Sequence, residues 1–157
     1  VTKFRIISGG QTGVDRAALD AALKHRIACG GWCPKDRTDE EGKIPERYPM
    51  TELKKGGPDE RTERNVRDSD GTIVIFFHDL SGGTAHTVGC CIEAHRPHRL
   101  IDASKYSPED AVPLMAAFIR DNDVDILNIA GPRASEWAGG YNYALRAIDV
   151  LLSRMKF

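Results

Sequence analysis

The chain has 157 residues, 41% of them hydrophobic and 29% charged, with a formal net charge of −1. That length suits one domain over residues 1–157, and the near-neutral balance argues against nucleic acid as a partner. No apolar run approaches the roughly 18 residues of a membrane span, and no basic, apolar leader opens the chain, so a cytoplasmic protein with no membrane partner is expected. Cys29, Cys33, Cys90 and Cys91 are too sparse for a disulfide framework, two of them being neighbours, and reduced thiols are expected.

In chain order, Phe4 to Ile7 reads as a short buried strand running into the glycine-rich stretch SGGQTG. The helix expected from Asp15 to His25 places Val14, Ala18, Ala21 and Ala22 on one face. Ile27 to Cys29 is a weaker strand. Residues 33–58 show no sustained period, and a connection of that length is often a lid or a binding loop. From Lys35 to Arg67 nine basic residues face nine acidic ones, so a solvated surface excursion is the competing expectation. A helix follows at Asp59 to Arg67, then a turn, then TIVIFF at 72–77, the strongest strand in the chain. A helix is expected over 84–95 and a short strand at Arg99 to Ile101. The next helix begins at Ser107-Pro108 or, if Pro113 delays it, at 113. Asp125 to Ile129 is the last strand, and 140–155 the last helix.

Strands alternating with helices predict an α/β protein: a single-domain, Rossmann-like, three-layer fold with a mostly parallel sheet of about five strands in the order 2-1-3-4-5. Glycine-bearing loops follow three of the strands, and in such a sheet all three open on one edge. Helix amino termini there favour anions, and glycine allows close backbone approach. A phosphate-bearing small molecule is the natural ligand. There is no G-x-x-x-x-G-K-[ST] and no G-x-G-x-x-G, which disfavours an ordinary NTPase or a nicotinamide enzyme. Arg16 could reach an anion or lie on the surface; Arg133 is better placed, with Lys35, Arg37 and Arg47 as further candidates. His86 and Cys90, four apart on a predicted helix, could face one metal, but core packing is the preferred role and no structural metal is expected. Trp32 and Trp137 could stack a planar ring or simply pack.

The run ISGGQTGVDRAALDAAL, with GGWCPKDR, IPERYP, RTERNVRDSDGTIVIF, SGGTAHT and LNIAGPRAS, resembles the molybdenum carrier (molybdenum-cofactor carrier) family from residue 5 to about 150. The resemblance implies a Rossmann-like fold distantly related to LOG-type phosphoribohydrolases. It further implies binding of molybdenum cofactor, an anionic pterin bearing a phosphate, homo-oligomers (dimer or tetramer), and molybdoenzymes as recipients. Carried over by motif, Gly9, Gly10, Gln11, Thr12 and Gly13 form a first anion loop, Gly82, Gly83 and Thr84 a second, and Gly131, Pro132 and Arg133 a third. Thr62 and Asn65 lie in a family-like string. LOG-type hydrolases carry PGG-x-GT-x-x-E; here SGGTAHTVG puts Gly89 at the catalytic glutamate, so binding and carriage or storage are favoured over catalysis. The alternatives are a nucleotide-binding sensor, or a phosphoribohydrolase-like enzyme drawing on Asp15 or Asp70.

Overall fold

A computed structural model describes residues 3–157. In chain order it contains β1 (Arg5–Ile7), α1 (Val14–Lys24), β2 (Ala28–Gly30), β3 (Trp32–Cys33), β4 (Thr38–Asp39), β5 (Gly42–Lys43), β6 (Thr51–Glu52), α2 (Pro58–Arg67), β7 (Gly71–Phe76), α3 (Gly82–Glu93), β8 (His98–Asp102), α4 (Pro108–Asp121), β9 (Ile126–Ala130) and α5 (Gly140–Arg154). β2, β1, β9, β7 and β8 form one parallel sheet in that order. Every residue of β7 is buried, as expected of a strand covered on both faces. Helices α1, α4 and α5 pack together on one face, and α2 packs on α3 on the other. The main core lies under the first group, where the alanines of α1 are fully buried with Ile6, Ile73, Ile75, Leu127 and Ile129.

The α/β class, the three layers and the five parallel strands agree with the sequence. The strand order does not. Counting only strands of the large sheet, it is 2-1-5-3-4 rather than 2-1-3-4-5: the last strand enters the middle, with Leu127 in register with both Ile6 and Gly71. Local pattern reports that Ile126 to Ala130 is a buried strand but not which neighbours it takes. Taking β9 and α5 as the first unit turns the order into 3-2-1-4-5, that of doubly wound nucleotide-binding sheets, whose crossovers diverge between the strands here called β9 and β7.

Two local expectations are also settled. Pro113 does not delay α4, which starts at Pro108 under a Ser107 cap accepting from the Asp110 amide at 3.1 Å. Pro113 is exposed, so the carbonyl left without a helical donor can be hydrated. The stretch 33–58 is a folded arm rather than a structureless loop. β3 pairs with β6, and β4 with β5; Ile44 and Tyr48 are buried against Leu19 and Cys33. Arg37 donates to the carbonyls of Ile44, Pro45 and Tyr48. Burial here comes from isolated anchors, which leave no period in the sequence.

Candidate functional site

The loops after β1, β7 and β9 enclose a cavity of about 280 Å³ on the α2–α3 side of the carboxyl edge. It lies where the crossovers diverge, the place where open α/β sheets bind ligands. Of the residues singled out from sequence, Gly9, Gln11, Thr62, Asn65, Gly82, Gly83, Thr84, Gly131, Pro132 and Arg133 are on its wall, while Gly10, Thr12, Gly13 and Arg16 are not.

The first glycine loop is held by the protein itself. The Gly10 amide donates to Ser8 Oγ, that of Gln11 to Asp15 Oδ2, and that of Thr12 to Gln11 Oε1. Arg16 turns back, donating to Gly10 O at 2.9 Å and pairing with Asp39 at 2.8 Å. Gly13, at φ 84, brings this loop against the third: a Cβ there would stand 2.6 Å from Pro132 O. Thr12 instead meets Glu40, at the tip of the β4–β5 hairpin, whose carboxylate also accepts from Ser135 N at 3.1 Å and lies 3.5 Å from Arg133. The Ser135 and Thr12 hydroxyls hold the Glu40 carboxyl below the usual range. The arm is thus pinned across the first and third loops. Lys35, Arg37 and Arg47 lie outside the cavity wall.

Three helices bring first-turn residues to the cavity wall, and those turns differ. α1 carries Asp15 and α2 carries Asp59 and Glu60, with Glu60 accepting from the Gly57 amide at 2.9 Å. α3 has no acidic residue in its first turn and no side-chain cap. Its first intrahelical bond is Ala85 N to Ser81 O, which leaves the amides of Gly82, Gly83 and Thr84 without a protein partner among the described residues. Thr84 is 5% exposed, and no hydrogen bond to its hydroxyl is formed there either. Four donors on a positive helix end converge on one wall, the arrangement that receives an anion.

Sequence reasoning missed Arg61, Asp15 as a wall residue, Asn128 and Glu136. Arg61 lies over Gly9, donating to its carbonyl at 3.0 Å; a Cβ at Gly9 would stand 2.6 Å from Arg61 Cδ. Inside RTERN it looked like one more charge on a solvated helix. Asp15 is 7% exposed, and burial pushes its carboxyl up to about 6. Arg61, 3.9 Å away, and the Gln11 amide only partly offset that burial. Arg133 is paired with Glu136 at 2.8 Å. The wall therefore carries Arg61 and Arg133 against Asp15, Asp59 and Glu136, which suits a ligand with one anionic group better than a polyanion. The signal for Asn128 is a single amide within the otherwise apolar strand ILNIA.

Other sequence candidates find structural partners. Asn65 brackets the backbone of Trp32 from both sides, and the Trp32 ring lies under Arg64 at 4.2 Å. Trp137 packs against Phe77 and Tyr143. His86 lies 3.5 Å from Cys90 Sγ and 3.8 Å from Asp59. Among the described residues no group of three ligating side chains could hold a metal, and all four cysteines are free. No helix among them is long and apolar enough to cross a membrane.

Comparison with known proteins accords with this geometry. Among curated proteins nothing matches the chain. A solved structure from Syntrophus aciditrophicus SB, described as a "putative molybdenum carrier protein", is 44% identical over 94% of each chain, with a TM-score of 0.92. The model of the circularly permutated YpsA SLOG family matches residues 6–152, and a permuted order is what the central position of β9 displays. The chain belongs to the circularly permutated YpsA SLOG family.

Proposed function

We propose that the protein binds and carries or stores an anionic, phosphate-bearing small molecule, with molybdenum cofactor or a related pterin as the cargo. The observation that carries this is the amino terminus of α3, where three amides and the Thr84 hydroxyl have no protein partner among the described residues and open on the cavity. The similar protein named as a molybdenum carrier supports the choice of cargo. The volume, about 280 Å³, is near the lower end for ligand pockets and suits a single pterin or mononucleotide rather than a dinucleotide. The phosphate would rest on Gly82, Gly83 and Thr84, with Gly131 and Pro132 as the opposite wall and Arg61 beside Gly9.

A nucleotide-hydrolysing reading has one observation in its favour, the Asp15 carboxyl on the cavity wall with its pKa raised to about 6. Asp15 is engaged with the Gln11 amide of its own loop. The position that would supply a LOG-type glutamate is Gly89, with open space around it. Binding without catalysis is therefore the stronger reading.

Thr84→Val is the test. It keeps the shape of a buried side chain and removes only the hydroxyl. The melting temperature should stay within a few degrees, while affinity for a phosphate monoester, read by calorimetry, should fall by about tenfold or more, the effect of one hydrogen bond to a charged group. Unchanged affinity would sink the assignment of the α3 terminus. Release of free base from nucleoside monophosphates by the wild type would move the function to the enzymatic reading.

A further inference from the structure

Asn128 stands in the middle of β9, 3% exposed, between the fully buried Leu127 and Ile129. It is in register with Thr72 of β7 and donates to Thr72 Oγ1 through Nδ2 at 3.2 Å. A carboxamide has two N–H donors and an acceptor oxygen, so that bond uses one hydrogen and leaves the second hydrogen and the oxygen. No hydrogen bond to Oδ1 is formed among the described residues. Nor is any of their side-chain polar atoms both enclosed and unpaired, so the oxygen must be reached from the cavity whose wall includes Asn128. A polar side chain at the centre of a buried parallel strand does nothing for apolar packing and is costly unless it finds partners.

We propose that Asn128 is the specificity-determining residue of the cavity, its open amide edge pairing with adjacent N–H and C=O groups of a lactam-bearing heteroaromatic ring. The inference rests on the anion-binding reading above and names the part of the ligand which that reading leaves open: the phosphate on α3, the ring on β9. Oδ1 accepts from the ring N–H, and the remaining amide hydrogen is available to the ring carbonyl. A neutral amide suits this role where a carboxylate would repel the nearby phosphate. Pterins and guanine-type purines share this edge; adenine does not.

The experiment is calorimetry on the full chain with four probes: 6-hydroxymethylpterin and guanosine as lactams without phosphate, adenosine as a ring without the lactam, and phenyl phosphate as a phosphate without ring donors. The wild type should bind at least one lactam tighter than adenosine, and whichever it prefers identifies the ring. Asn128→Leu should weaken that lactam about tenfold, the order of one bidentate amide contact, and leave phenyl phosphate within twofold. If Asn128→Leu does not fold, Asn128→Ser, checked by its melt, should show the same selective loss. Failure of both lactams to bind, or equal lactam affinity in the variant, overturns the inference. Loss of phenyl phosphate binding alone, with the Asn128-dependent lactam preference intact, would instead overturn the α3 phosphate seat and leave the ring assignment standing.

Discussion

Replacing Asp15 with asparagine should abolish a pH effect whose sign is the reverse of the usual carboxylate one. Most carboxylates stabilise a fold once ionised; Asp15 is buried in its own loop and its pKa is raised from 3.8 to about 6. The folded state therefore holds the proton more tightly than the unfolded chain, and ionisation between those values costs stability as the pH rises. With these two values the cost is about 1 kcal/mol near pH 4.5 and about 3 kcal/mol near pH 7.5. The carboxamide of Asp15→Asn keeps an acceptor for the Gln11 amide and cannot ionise. The variant's stability relative to wild type should therefore improve by about 2 kcal/mol between the two pH values, whatever constant offset the substitution brings. Urea titration of both proteins at both pH values gives the number, because every other titrating group is common to the pair. Parallel stability curves would refute the claim that burial, rather than Arg61, governs this carboxyl.

Two glycines of the site should respond differently to alanine. At Gly131 a Cβ would run into Ile75 O and stand 2.7 Å from the Val14 side chain, so Gly131→Ala should cost about 1–3 kcal/mol or more, read as a fall in the denaturation midpoint. At Gly9 the obstacle is the Arg61 side chain, which can move; Gly9→Ala should cost less stability than Gly131→Ala while altering ligand affinity in a calorimetric titration. Glu40→Gln should loosen the β4–β5 hairpin, seen as faster hydrogen exchange at the Ser135 amide and faster proteolysis within 38–43. Because the Glu40 pKa is depressed, the wild-type contact should be intact above the ordinary glutamate pKa and fade as the pH falls through the folded value.

Much of this architecture could be read from residues 4–30 and 71–130, where apolar runs and glycines follow strict local rules. Val14, Ala18, Ala21 and Ala22 on one stripe gave α1 within a residue of its ends, and TIVIFF gave β7. What escaped was set by distant partners. Leu127 bears no mark of lying between Ile6 and Gly71. In SGGQTG the glycines were visible, but not that Ser8, Gln11 and Asp15 already occupy the amides of Gly10, Gln11 and Thr12. The amides without a protein partner among the described residues lie in SGGT instead. Part of the difference is the carboxylate in the first turn of α1, which takes the Gln11 amide, and its absence from that of α3, a contrast the sequence does contain. Asn128 was the other readable signal, one amide in the apolar run DILNIA.

The insertion of β9 between β1 and β7 also bears on how the molecule is assembled. During synthesis β1 can pair with β2, and β7 with β8, long before β9 leaves the ribosome. Until it does, the two pairs have no strand in common, and β1 and β7 each keep an unpaired inner edge. Such edges recruit other strands, and joining them demands contacts between residues far apart in the chain, which is slow. The closing strand is also the one that carries Asn128 and ends in the Gly131 wall. The cavity therefore cannot form before β9 has docked, and a chain that has not finished its sheet has no site to fill.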